Sequence, residues 1–201
     1  WLAESLGAGC ISPGLIGNHR NLIRQYGGLY SIISGHVHFH AGEGLDPRYK
    51  YITCFRDPVD RVVSWLYYVV NNHDDADLPE LRPWARRFLE SDGQDLPEDL
   101  VGAISNVYVE HFSRSNGNGL ESDDKKIANA LAATKEYHVV GMLDEMPRFL
   151  ADVAAMIGLP TPPEIARVNV TTQRPQVDKL SPVLRERIVA LNRLDFGFFS
   201  D

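Results

Sequence analysis

The chain predicts an α/β fold, a parallel sheet flanked by helices. Three observations carry this. Tyr51 to Phe55 is a short run of β-branched and aromatic residues, the composition and length of a central strand. A helical-period run follows at once through Asp57-Pro58. The same strand-then-helix order returns at Tyr137 to Met142 and the segment after Asp144, and such alternation is the signature of βα units.

The bulk properties set limits. The 201 residues read as one domain, with 44% hydrophobic and 23% charged residues, ordinary for a globular chain. The net charge of −7 gives no overall field for a polyanion, so nucleic acid is not an expected partner. Cys10 and Cys54 are the only cysteines, without CxxC or Cys/His metal spacing, so neither a disulfide framework nor a zinc site is expected. Cys54, inside the strand run, reads as a small buried hydrophobe. No run approaches membrane-spanning length and no secretory leader pattern is present. The chain begins at Trp1 rather than Met and reads as a fragment.

In chain order, Trp1 to Leu6 reads as a helix tail and Gly7 to Gly17 as loop. Asn18 to Tyr26 reads as a short basic helix with Arg20 and Arg24 one turn apart. Leu29 to Ser34 is a strand candidate that runs into Gly35-His36-Val37-His38-Phe39-His40. Extended backbone places His36, His38 and His40 on one side. A metal site there is one reading, with Glu43 nearby, but no carboxylate pattern accompanies it.

After the Tyr51–Phe55 strand comes the centre of the chain. Asp57 offers an N-cap carboxylate and Pro58 a fixed φ at the first helical position. Val59, Val62, Val63, Leu66, Tyr67 and Val70 mark the buried side. Asp57, Arg61 and Ser64 are expected on the other face, with Arg56 reaching toward it. A guanidinium and a hydroxyl near a helix start suit an anion. The plainer alternative is a capped core helix with an Asp57–Arg61 surface pair.

Residues 71 to 79 read as an acidic loop, and Glu80 to Glu90 as a helix. Glu98 to Ser113 reads as one helix with Leu100, Ile104 and Phe112 inward. Ser122 starts a helix to Lys135, and Asp144 caps a helix ending at Gly158, a C-cap glycine followed by Pro160. Ser181-Pro182 opens a closing helix to Asn192. Asn169-Val170-Thr171 fits the short N-glycosylation sequon.

The motif Arg56-Asp57-Pro58-x-x-Arg61-x-x-Ser64 behind its strand resembles the 3′-phosphate-binding motif of sulfotransferases that use PAPS (3′-phosphoadenosine 5′-phosphosulfate). The Gly35-His36-Val37 turn about twenty residues upstream is similar to the carbohydrate type, near the heparan sulfate and uronyl 2-O-sulfotransferases and their bacterial counterparts. The resemblance covers roughly residues 29 to 199. It implies a P-loop-NTPase-like parallel sheet, a PAPS donor giving 3′,5′-ADP, and no metal. It gives Arg56 and Ser64 the 3′-phosphate, Arg61 a supporting charge, and His36 the part of general base. It suggests Thr172 and Arg174, within Arg167 to Pro175, as donor contacts, and His38 and Asn106 as acceptor contacts. Residues 71–120 become the acceptor and lid region. The acceptor implied is a hydroxylated glycan or glycolipid. The histidine found two residues before the motif His in the heparan enzymes is Ser34 here, which argues against a uronic acid. A bacterial enzyme would be cytoplasmic and a metazoan one Golgi-lumenal. The phosphosulfate loop and first strand of such a fold have no counterpart, since no Lys precedes Lys50; the fragment as it stands is expected to be inactive. Rival readings are a non-catalytic nucleotide-binding module of the same fold, a P-loop-related kinase and, more distantly, a metal-dependent hydrolase using the three histidines.

Overall fold

Gly35 makes the first strand pairing possible. A Cβ at this position would stand 1.9 Å from the carbonyl oxygen of Leu15, so only a glycine lets the two backbones approach. In the computed structural model, which describes residues 1–71, 80–114, 121–162 and 174–200, Leu15 pairs with Gly35 and Asn18 with His38 in a parallel register.

The elements in chain order are α1 (Leu2–Leu6), β1 (Leu15–Asn18), α2 (His19–Tyr26), β2 (Gly35–His38), β3 (Ile52–Phe55), α3 (Pro58–Asn71), α4 (Leu81–Glu90), α5 (Glu98–Ile104), α6 (Val107–Phe112), α7 (Asp123–Thr134), β4 (Val139–Met142), α8 (Met146–Ile157), α9 (Pro182–Leu191) and α10 (Arg193–Ser200). Among the described residues β1 pairs with β2 and β3 with β4, as two separate two-stranded sheets. Helices with short sheets, one of them parallel, fit an α/β fold.

The chain divides into two compact units. The first comprises Trp1–Cys54, His111–Gly141 and Glu145–Ala166; the second comprises Phe55–Glu110, Met142–Asp144 and Arg167–Asp201. The second is built on α3. Val59, Val62, Val63, Leu66 and Val69 recur at helical spacing and are all buried. They pack with Ala85 and Phe88 of α4, Leu100 and Ile104 of α5, and Leu184 and Ile188 of α9. Phe55 adds a ring cluster with Phe198, Phe199 and Tyr108.

The first unit buries less apolar bulk: Leu22, Phe112, Val139, Val153 and the small Ala130, Ala133 and Ala154, together with the polar Ser12, His19, Glu43 and Ser113. Its strands are open to solvent. Ile16 is 73% exposed and Val140 44% exposed.

Several expectations change. Leu15–Asn18 is a strand rather than loop, because the opposing Gly35 admits it. The apolar stretch from Leu29 forms no strand; Ile32 makes one bridge to Ile11, and the ladder begins only at Gly35. Cys54 is exposed, not buried, and Ile52 on the same strand is half-exposed, because β3 has a single paired neighbour among the described residues. The helix expected from Glu98 to Ser113 breaks after Ile104, where Asn106 takes a left-handed φ of 49°. Asp144 does not cap α8; a 3-10 turn at Leu143–Glu145 intervenes, and Pro147 in the first turn supplies the fixed φ instead. Ser122, Gly158 and Ser181 do end or begin their helices as their residue types dictate: Gly158 is left-handed at φ 72°, and the two serine hydroxyls accept from Lys125 and Leu184.

Candidate functional site

The second unit carries the arginine motif. Asp57 lies before the first residue of α3 and its Oδ1 accepts the N–H of Asp60 at 2.9 Å, an N-cap bond three residues on. Arg56 stands at the end of β3. Its Nε pairs with Asp60 Oδ2 at 3.2 Å, with both side chains about a quarter to a third exposed. Arg174 Nη1 pairs with the other oxygen of the same carboxylate. Two guanidiniums therefore converge on Asp60, one turn before Ser64 on α3. Arg56 and Arg174 are brought together by Asp60, a residue outside the motif's own string. Its signal was the i, i+4 spacing of Arg56 and Asp60.

Arg61 has a different employment. Its Nη2 donates to the Ile104 carbonyl at 2.8 Å and Nη1 to that of Ala103 at 3.4 Å, the open C-terminal end of α5. Its cation also lies 5.7 Å from the centre of the Tyr108 ring. Burial lowers its pKa, with Tyr108 and Asp195 acting the other way. The Asp57–Arg61 surface pair of the plainer alternative is thus replaced by an inward cap, since backbone carbonyls at a buried helix end need donors. Arg61 reaches Asn192 Oδ1 as well, at 3.5 Å.

Asn106, proposed from the resemblance as an acceptor contact, sits in the same network. Its backbone N–H donates to Asn192 Oδ1 at 3.0 Å, and its own Oδ1 accepts the N–H of Leu194 at 2.9 Å. Buried Asp195 answers from α10, accepting the N–H groups of Val109 at 2.8 Å and Tyr108 at 3.3 Å. The starts of α6 and α10 cap each other through these two side chains. Burial raises the pKa of Asp195 even though both N–H groups favour its charged form. Tyr108 closes the loop back to the motif: its hydroxyl accepts the backbone N–H of Arg56 at 3.1 Å. A polar lattice spread over α3, α5, α6 and α10 therefore stands behind Arg56.

The first unit carries the histidines. His36 and His38 lie on β2 and both are exposed. His40 follows beyond the strand and is exposed too. His111 lies near the first two and packs edge-on against Phe39 at 6.0 Å between ring centres. Burial, and then the neighbouring His38, Arg114 and His36, bring its pKa down to about 4. Among the described residues no three His, Cys, Asp or Glu side chains are grouped to hold a metal ion.

A second cluster in this unit has no counterpart in the sequence reading. His19 Nδ1 meets Glu43 Oε1 at 2.9 Å, and His19 Nε2 meets the Tyr51 hydroxyl at 2.7 Å. Arg20 pairs with the same Glu43 oxygen at 3.1 Å, and the N–H of His40 donates to Glu43 Oε2 at 2.8 Å. Burial alone would push the Glu43 carboxyl up, but the His40 N–H, His19 and Arg20 hold it below its ordinary value. The three residues come from separate segments, so no local spacing announces them. The cluster ties the loop before β3 onto α2. Thr172 lies outside the described residues, as does the 169–171 sequon.

Residues 23–119 match the model of the sulfotransferase domain family. The match, over just under half of the chain, is a similarity to sulfotransferase domains that agrees with the resemblance carried by the arginine motif. It takes in His36, Arg56, Arg61, Ser64 and Asn106. No curated protein matches the chain.

Proposed function

We propose that the protein moves a sulfuryl group from PAPS to a hydroxyl of a carbohydrate-like acceptor. The observation that supports this most directly is the convergence of Arg56 and Arg174 on Asp60, one turn from Ser64. Two guanidiniums share one carboxylate, which leaves a partly open patch with spare N–H donors and a hydroxyl one helical turn on. That is the chemistry a terminal phosphate requires. In this reading Arg56, Arg174 and Ser64 hold the 3′-phosphate of the donor, with Thr172 as a further donor contact. Arg61 supports them indirectly, by fixing the segment that carries Tyr108. His38 and Asn106 are the acceptor contacts proposed, within an acceptor region at 71–120, and the nucleotide fold is of the P-loop type.

His36 is the proposed base. It takes the acceptor hydroxyl proton; the acceptor oxygen forms a bond to sulfur as the bridging S–O bond breaks, and 3′,5′-ADP leaves with that electron pair. The imidazole is exposed on β2, where an acceptor can reach it. Remote binding energy at the 3′-phosphate aligns the donor for this step.

Calorimetric titration of the full-length protein with 3′,5′-ADP and with 5′-AMP tests the donor assignment. The expected result is a preference for 3′,5′-ADP that falls roughly 10- to 100-fold in Arg56→Ala, the loss of a charge-assisted contact of ~1.5–3 kcal/mol. Equal affinity for the two nucleotides would leave the motif as scaffold and favour a binding module that does not use PAPS. His36→Ala should leave that affinity unchanged while lowering sulfuryl transfer by ~10² to 10⁴.

A further inference from the structure

Arg56 is held at both ends. Its guanidinium meets Asp60 Oδ2 at 3.2 Å. Its backbone N–H, one residue past the end of β3, donates to the Tyr108 hydroxyl at 3.1 Å. A backbone N–H that has left its sheet needs an acceptor. Here the acceptor is a side chain on α6, 52 residues further along the chain.

Tyr108 is itself fixed. Its backbone N–H donates to Oδ2 of the buried Asp195 at 3.3 Å. Its ring stands edge-on to Phe55 at 5.1 Å and to Phe199 at 5.6 Å between ring centres. The Arg61 cation lies 5.7 Å from the ring centre. Burial pushes the phenol pKa up, with the Arg56 N–H and then the Arg61 charge acting the other way. The hydroxyl therefore stays neutral at pH 7 and accepts the N–H through a lone pair. All of these residues belong to the second unit.

Packing alone would be served by a phenylalanine, as it is at Phe55 and Phe199. The oxygen of Tyr108 adds a bond to the backbone of the first residue of the motif. Leverage gives that bond its weight. An arginine projects its guanidinium far from its own backbone, and recognition of a phosphate needs its donors held within about 0.5 Å. Fixing Arg56 at the backbone limits where the guanidinium can reach, and Asp60 then orients its tip.

We propose that Tyr108 is a positioning residue of the donor site: its hydroxyl fixes the backbone from which Arg56 reaches the 3′-phosphate, and Asp195 holds Tyr108 in place. The proposal rests on the sulfotransferase reading above and adds to it a residue outside the motif. Tyr108 acts through Arg56 and not on the donor.

The test is a double-mutant cycle read by calorimetric titration of the full-length protein with 3′,5′-ADP and with 5′-AMP. Tyr108→Phe keeps the ring among its neighbours and deletes one oxygen, and thermal melting checks that it is folded. It should weaken 3′,5′-ADP roughly three- to tenfold, the worth of one hydrogen bond, and leave 5′-AMP unchanged. In an Arg56→Ala background the same substitution should have no effect on 3′,5′-ADP. A merely structural role would not produce that coupling. Ser181→Ala, a stability change elsewhere in the second unit, should leave both affinities unaltered. Unchanged 3′,5′-ADP affinity in Tyr108→Phe, an equal loss for both nucleotides, or a loss that persists in the Arg56→Ala background would overturn the positioning role and leave the donor reading standing. A wild-type protein with no preference for 3′,5′-ADP, or a preference that survives Arg56→Ala, would remove the donor reading itself and the positioning role with it.

Discussion

The two units are held together by different means. The second rests on α3, whose buried valines and Leu66 pack against α4, α5 and α9, with the Asn192 and Asp195 caps set beside that core. The first has thin, open strands and relies on a polar cluster of His19, Glu43 and Tyr51. Apolar packing is non-directional and tolerates small shifts, whereas a buried hydrogen-bonded cluster is all or nothing. The second unit should therefore answer mainly to lost volume. The first should answer to lost charge and to pH.

The largest effect expected is in the second unit. Phe88 is fully buried in its core, and Phe88→Ala should cost about 3–5 kcal/mol, read as a lower urea midpoint. A loss under 1 kcal/mol would show that this core is less tightly packed than its burial indicates.

Acidification comes next and acts on the first unit. His111 has a folded pKa of about 4 against roughly 6.5 when unfolded. The unfolded chain takes up the proton first, so stability is complete above pH 6.5 and declines as pH falls toward 4, by at most about 3 kcal/mol. Hydrogen exchange measured at pH 7 and pH 4.5 should show the amides of β2 and of residues 111–114 losing protection. A His111→Asn variant should flatten that dependence; an unchanged profile would take His111 out of the comparison.

Glu43→Gln sharpens the contrast. It removes the charge that His19 and Arg20 share and should cost about 1.5–3 kcal/mol, with the first unit's amides affected before those of α3. Uniform loss of protection in both units would mean that they unfold as one. Smallest is Ser181→Ala, the deletion of an N-cap hydroxyl, at about 1 kcal/mol. It serves as a local control in the second unit and should leave the pH profile unaltered.

The same contrast explains what was legible in advance. The helices of the second unit announce themselves through apolar period and caps, and α3, α4 and α9 fall within a residue or so of expectation. The Arg56 motif was visible as a string, and so were its anion-binding types. Asp60 was not, because its role depends on Arg174, more than a hundred residues away. Arg61 was placed on the surface by its charge; only the open end of α5 explains why it turns inward. In the first unit, breakers such as Pro13 and Gly14 hid β1, and the Leu29 run promised a strand for which the chain supplies one bridge.

The sequence by itself determined the local grammar of this protein. Helical period, Asp57-Pro58, Ser122, Gly158 and Ser181-Pro182 act through atoms a few residues apart, and the chemistry of the Arg56 motif and the exposed His36 lies in residue types. The tertiary structure alone decided which charges meet. The pairing of Arg56 with Arg174 through Asp60, the mutual capping of α6 and α10 and the His19–Glu43–Tyr51 cluster all join residues distant in sequence. Burial then fixes what each contact is worth, because a hydrogen bond or an ion pair gains its weight only where water is excluded.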